Sequence, residues 1–295
     1  MSKAGGVFTR VNEPQLPLIP MEQTLKEIEG LVSLPEIYLK FRRLMDDRNS
    51  TIGDFSEVVG SDPNLAGTVL KVVNSAYFGF PGQIDSISRA IALLGFGTLH
   101  HMALGASAMT SLDFPNDIVP LRTFWQCSLF TGVLARLLAI QLKIRNDEGL
   151  FVIGLLHEIG HLIIYSKYPR QAKEAIERRK EGKQMIHIAE QAILGFHYGQ
   201  MGANLMAQWQ LPTNFQVMTY FQPTPSEAPD QQLGIVLLHV AHGYAQHYFA
   251  DTGQTLEQLI SPEAWDTINL VPGQIQATLE KALQASSEME KAILR

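Results

Sequence analysis

Apolar residues recur along most of this chain at intervals of three and four, and the alternating, turn-bounded pattern of a half-buried strand is almost absent. The spacing predicts helices. "LPEIYLKFRRLMDD" (34–47) starts a helix on Pro35 and places Ile37, Leu39, Phe41, Leu44 and Met45 on its apolar stripe. In "SDPNLAGTVLKVVN" (61–74) Asp62 is the expected N-cap and Pro63 the first helical residue, with Leu65, Val69, Leu70, Val72 and Val73 facing the core. "DSISRAIALLGF" (85–96) repeats the pattern, capped by Asp85 or Ser86, striped by Ile87, Ile91 and Leu94, and closed at Gly95 or Gly97.

The expected fold class is therefore all-α, a two-lobed helical bundle. Two prolines with turn-forming Asp and Asn in "SLDFPNDIVP" (111–120) mark the seam between lobes. The expected division is an N-terminal arm at 1–20, a helical lobe at 21–115, a second lobe at 116–250 and a C-terminal extension at 251–295. That extension ends in the amphipathic "GQIQATLEKALQASSEMEKAILR" (273–295), which either folds back on the body or meets a second chain. No 20–50-residue period recurs, which excludes a solenoid.

Composition narrows the setting. With 295 residues the chain can bury a large core, and its one cysteine, Cys127, excludes an internal disulfide. The opening "MSKAGGVFTRVNEPQLPLIP" has no apolar run of the export type, so a cytoplasmic location is expected. The most apolar segments, 129–142 and 150–165, are interrupted by Arg136 and by His157, Glu158 and His161, and fall short of a bilayer's thickness. No membrane contact is expected. A net charge of −6 gives no footprint for nucleic acid, and "IERRKEGK" (176–183), the one basic cluster, reads as a solvated helix face.

The candidate chemistry lies in "GLLHEIGHL" (154–162). On one continuous helix, His157 and His161 share a face and suit one zinc ion, with Glu158 polarising its water. A third protein ligand is missing, because His161 is followed by Leu162, Ile163, Ile164 and Tyr165, while Glu174 and Glu177 more simply face water. The plainer expectation for His161 is a core residue with a hydrogen-bonded ring nitrogen.

The wider text decides between these readings. The stretch "DPNLAGTVLKVVNSAYFGFPGQIDSISRAIALLGFGTLHHMAL" (62–104), with Asn74-Ser75-Ala76 and the run from Ile87 to Gly95, is followed by "FWQCSLFTGVLARLLA" (124–139), "FVIGLLHEIGHL" (151–162) and "ILGFHYGQMGANLMAQWQLP" (193–212). In that order the motifs resemble the HDOD family of bacterial signalling modules, relatives of the HD metal-dependent phosphohydrolases, from about Leu34 to about Tyr248. The resemblance implies an HD-like helical core in the second lobe.

It also implies a damaged metal site. Cys127 stands where HD enzymes offer a His, His157-Glu158 replaces the His-Asp pair, and His242, after Ala241, stands where a late Asp is expected. His197 in "GFHYG" matches a His common in the module, whereas Tyr220-Phe221 replaces the usual His-His. Glu for Asp moves the carboxylate outward by about 1.5 Å, against a coordination tolerance of about 0.2 Å. The expected set of degenerate positions is Cys127, His157, Glu158, His197 and His242, with no catalytic residue and no cofactor. Any divalent metal would fall to His157, Glu158, His197 and His242.

Elsewhere, Asn74 and Ser75 are expected to bond backbone groups at a helix end, and Tyr77, Phe78 and Phe80 to plug the first lobe's core. His100, His101 and His187 are expected at helix surfaces or lobe contacts, and His239, His242 and His247 share no single i, i+4 face. The resemblance implies a regulatory module, acting in outputs such as cyclic-dinucleotide metabolism, motility or stress responses. It would bind a signalling protein or small ligand, by default in the cleft between lobes. The alternative is an HD-type phosphohydrolase acting on a nucleotide or cyclic dinucleotide with an altered ligand set. The sequence leaves the oligomeric state open.

Overall fold

A computed structural model describes residues 36–75, 77–111, 118–144, 148–182, 184–229, 233–270 and 272–293, together with Met21, Thr24 and Lys26. The expected arm at 1–20, the helix start at Pro35 and most of the 111–120 seam lie outside the described residues. Those residues form helices and no strand, as the periodicity predicts.

The first helices are α1 (Glu36–Asp46), α2 (Ile52–Gly60), α3 (Pro63–Val73) and α4 (Ile87–Ser111). Asp62 caps α3 by accepting from the Asn64 and Leu65 amides at 2.9 and 3.2 Å, with Pro63 in the first turn. Asn74 then staples the chain's return: its amide donates to the Leu70 and Ile84 carbonyls and accepts from the Ile84 N–H, all within 2.8 Å. Ser75 Oγ donates to the Val72 carbonyl, again satisfying a helix end. Ser86, one of the two expected caps, accepts from the Arg89 amide at the start of α4. Gly95, with φ of 79°, breaks that helix where closure was expected, but a second helical stretch continues to Ser111.

Two expectations for this region change. Phe41 is buried, stacked on His100 and tilted against Phe55, whereas Leu39 and Met45 of the same stripe are exposed. The reason is that, among the described residues, α1 packs mainly on α2 and α4, with Arg42 reaching Trp209 and Gln210, so neighbours cover only a narrow sector of it. Tyr77 and Phe78 face the second lobe: Arg136 lies over both rings, and Tyr77 packs on Phe151.

The second part is built on α5 (Leu121–Gln141), which packs against α6 (Glu148–Leu156), α12 (Leu233–Phe249) and α15 (Pro272–Ile293). Between them run α7 (Ile159–Lys167), α8 (Pro169–Gly182), α9 (Ile186–Leu194), α10 (Tyr198–Gln208) and α11 (Thr213–Phe221), with the short α13 (Leu256–Leu259) and α14 (Pro262–Ile268) after α12. The C-terminal helix folds back on the body, packing on α5 and α3, with Glu290 accepting from Arg122 and Gln126. The helix Leu121–Gln141 and the helical segment Gly149–Lys167, interrupted at residues 157–158, are apolar and long enough to cross a membrane by composition. That makes the first longer than the sequence estimate of 129–142, and both are mostly buried inside the body.

Helix α6 stops at Leu156 and α7 starts at Ile159, so the "HE" of the opening motif falls in a break between two helices. Glycine fixes the packing on both sides of it. A Cβ on Gly154 would lie 2.3 Å from Gly132 Cα, and one on Gly160 would lie 2.0 Å from the Tyr198 carbonyl oxygen. Backbone therefore meets backbone where α6 crosses α5 and where α7 crosses α10, and residues 157–158 are clamped between the crossings.

We expect Gly154→Ala and Gly160→Ala each to destabilise the protein by about 3 kcal/mol or more in urea unfolding, because backbone cannot yield as a side chain does. Gly67→Ala, inside α3 with nothing within 4 Å of the added carbon, should instead stabilise by about 0.5–1 kcal/mol.

Candidate functional site

The break aims two polar side chains into the core. His157 is fully buried, and its Nδ1–H donates to the Gly154 carbonyl at 2.7 Å, which leaves a lone pair on Nε2. That Nε2 is buried with no hydrogen-bond partner. Burial, with the nearby His242 ring, lowers the His157 pKa to about 3, so the imidazole is neutral.

Glu158 is 6% exposed, and its Oε1 lies 3.0 Å from His242 Nε2 and 3.4 Å from His161 Nδ1. Burial pushes this carboxyl up, but His242 and His161 prevail and hold it well below the usual carboxylate range. On its other side His161 Nε2 lies 3.0 Å from Glu190 Oε1. Burial disfavours the charged imidazole, yet Glu190 and Glu158 outweigh that and raise the His161 pKa to about 9. One imidazolium thus sits between two buried carboxylates.

His242 is the busiest residue in the knot. Tyr198 donates its hydroxyl to Gln222 Oε1, which turns the Gln222 amide NH2 toward His242 Nδ1 at 2.8 Å. With Nδ1 accepting, Nε2 keeps the hydrogen and donates to Glu158. Arg179 has donors only, so its 2.6 Å bond to Gln246 Oε1 turns that amide's NH2 toward the same Nε2, 2.8 Å away. A hydrogen on Nε2 serves Glu158 and a lone pair serves Gln246, so the atom has one contact more than it can satisfy.

The structure brings some of the expected site residues together and leaves others apart. His157, Glu158 and His242 converge, with ligand atoms within 4.8 Å of one another. Cys127 is buried nearby, but its thiol donates to the Ala245 carbonyl at 3.8 Å, and burial followed by Glu158 pushes its pKa up, away from the thiolate a metal takes. His197 does not join the three: it caps α10, its Nδ1 accepting from the Gly199 amide while its own N–H donates to Gln200. Tyr220 and Phe221 pack on each other, Tyr220 being exposed. His239 donates to the Gln222 carbonyl and accepts from the Ser261 amide, half-buried His187 lies beside His197, and His247 is exposed.

The zinc-protease geometry fails because the helix it needs is broken. His161 turns to Glu190 on α9: its Nδ1 lies 3.4 Å from Glu158 Oε1, while its Nε2 sits within ion-pair distance of Glu190 but makes no hydrogen bond. Among the described residues one metal-capable cluster occurs, and it excludes His161. That cluster fits a single ion: the partnerless, neutral His157 Nε2 is the form a metal binds, and its carbonyl-bound Nδ1 fixes the ring. It does not fit a pair of ions, which would need bridging oxygen ligands beyond one carboxylate.

Glu190, Arg179, Gln222, Gln246 and Tyr198 were not foreseen. Two carried a signal: Glu190 lies on the Ile186-Ala189-Ile193 stripe, and Arg179 continues Ala172, Ala175 and Ile176. The run at 176–183 is thus not wholly a solvated face, since half-buried Arg179 donates to Gln254 and Gln246. Glu158, His161 and Arg179 also line a cavity of about 310 Å³ between α5, α7, α8 and α12. It draws only on residues 118–252, so it lies beside the knot and not in a cleft between lobes.

Stability should therefore peak near pH 6.5. Below that, His157, His187 and His239, with folded pKa values of about 3, 4 and 4, take up protons more readily when unfolded, so stability falls as pH drops. His161 works the other way, its contribution complete below about 6.5 and lost as pH rises through about 9. Thermal melts across pH 4–10 check this, and His161→Gln should flatten the alkaline limb while leaving the acid limb in place.

Comparisons with known proteins bear on the family and the fold. A family model for the HDOD domain matches residues 31–225. A protein of Geobacter sulfurreducens, described as an HDOD domain protein with unknown function, superposes with a TM-score of 0.73 at 19% identity, covering 93% of this chain and 98% of its own. A Shewanella amazonensis SB2B protein named "Putative phosphohydrolase" has the same TM-score at 24% identity, with 92% and 97% covered. These likenesses speak for the fold. An uncharacterized protein of Treponema pallidum (strain Nichols) is 25% identical over 268 residues, and the match takes in 90% of this chain but 51% of that relative, about half its length. The chain belongs to the HDOD domain family.

Proposed function

We propose that this chain is a non-catalytic regulatory module that acts in signal transduction by binding a protein partner or a small ligand. The observation that carries the reading is the state of Glu158. Its Oε1 is engaged by His242 and His161, and His161 is engaged in turn by Glu190, so the acid of the former His-Asp pair is committed to protein contacts. A phosphate-cleaving centre needs open coordination positions and oxygen-rich ligands, and this knot offers one carboxylate among imidazoles. The single, buried thiol of Cys127 and the net charge of −6 suit work in the cytoplasm without nucleic acid or membrane.

One observation favours a second reading, an HD-type phosphohydrolase acting on a nucleotide or cyclic dinucleotide. His157 Nε2 has no protein partner, and a divalent ion held by His157, Glu158 and His242 would supply Lewis-acid activation of water. The chain's own residues argue against turnover there: Tyr198, Gln222 and Gln246 tie His242 in place, which leaves it no freedom to move a proton.

Elemental analysis of the purified protein, paired with phosphodiesterase and nucleotidase assays in manganese, iron and zinc, separates the two. We expect no turnover and no stoichiometric metal. Stoichiometric metal and measurable hydrolysis, both lost in His157→Ala, would establish the enzyme instead.

A further inference from the structure

The cavity beside the knot has an unusual charge at its wall. Arg179 is half-buried, and both of its hydrogen bonds go to neutral amide oxygens, Gln254 at 2.8 Å and Gln246 at 2.6 Å. Among the described residues no carboxylate pairs with it within 4.0 Å, whereas its neighbour Lys180 is paired with Asp251 at the rim. Glu158, on the same wall, already faces His161 and His242. The rest of the wall is largely hydrocarbon, with Phe124, Ile176, Ile186 and Phe249 among the residues that line it. A guanidinium out of bulk water with only neutral acceptors is costly, and an anion brought against it recovers that cost. At about 310 Å³ the space is at the lower end of the range for small-molecule sites.

We propose that this cavity binds a small organic anion, its carboxylate or phosphate head on Arg179 and its apolar body between Phe124, Ile176 and Phe249. The inference rests on the binding-module reading and gives that module its ligand class. Gln246 bridges Arg179 and His242, so an anion that draws the guanidinium off Gln246 also changes what His242 Nε2 meets. Occupancy of the cavity thereby reaches the knot.

Calorimetric titration of the full chain with 4-phenylbutyrate, phenyl phosphate and the neutral 4-phenylbutan-1-ol tests it. At least one anion should bind about tenfold or more tightly than the alcohol, and comparison of the two anions identifies the preferred head group. Arg179→Gln should erase the preference, Arg179→Lys should restore part of it, and Arg170→Gln, which removes an exposed charge from the same helix, should leave it intact. Ile176→Trp, which fills the cavity, should abolish binding of all three probes and gives a second check should Arg179→Gln not fold. An alcohol bound as tightly as both anions, no binding of either anion, a preference that survives Arg179→Gln, or binding that survives Ile176→Trp overturns the proposal. Turnover of bis(4-nitrophenyl) phosphate in manganese, run on the same sample, refutes the non-catalytic reading alone. Failed titrations without turnover refute the ligand class alone.

Discussion

The structure around the break is organised by one constraint, a carboxylate buried at position 158. A charge taken out of water needs partners with good geometry, and each partner here creates the next demand. Glu158 engages His161, the resulting imidazolium needs Glu190, and Glu190 is finished by the Tyr198 amide. The other arm runs through His242 to Gln222 and Gln246, and from there to Tyr198 and Arg179. Helices α7, α9, α10 and α12 are thus tied by a chain of polar contacts through a core that is otherwise hydrocarbon.

Stability alone does not explain such a knot. Buried ion pairs roughly break even against apolar residues of similar volume, while an arrangement missing one member is strongly destabilised. The set is therefore held all together or not at all, and the clamp of glycine contacts at 132/154 and 160/198 gives it no room to relax. The excess contact at His242 Nε2, the orphan Nε2 of His157 and the Nε2 of His161, which faces Glu190 without a hydrogen bond, are places where the network is not closed. The first two lie in the cluster of His157, Glu158 and His242.

Much of this was legible in the sequence, for physical reasons. Caps are local, so Asp62, Asn74 and Ser86 could be assigned from a few neighbours, and the all-α class follows from periodicity sustained over the chain. Helix α1 was misjudged because periodicity states which residues share a face and says nothing of how much of that face neighbours will cover. The break after Leu156 was invisible because "GLFVIGLLHEIGHLIIY" is apolar on every side, and no proline or capping residue marks the interruption. His197 was grouped with the knot by resemblance, whereas its extended backbone and bond to the Gly199 amide make it a cap. Gln222 and Gln246 escaped notice because an amide becomes informative only when its two ends are distinguished, and that needs Tyr198 and Arg179 in place.

Arg179 lies outside the cluster of His157, Glu158 and His242. A residue at the end of a buried stripe in a charged helix reads as surface, yet its aliphatic stem can lie along the stripe while the head reaches inward. The head meets Gln246, which faces His242, so a single side chain connects the cavity to the knot. The His157, Glu158 and His242 cluster is reached from the cavity through an amide, and an amide transmits orientation. Whatever enters the cavity can therefore alter the knot by redirecting hydrogen bonds without any change of oxidation state, ligand number or covalent bond, which is the kind of signal a binding module requires.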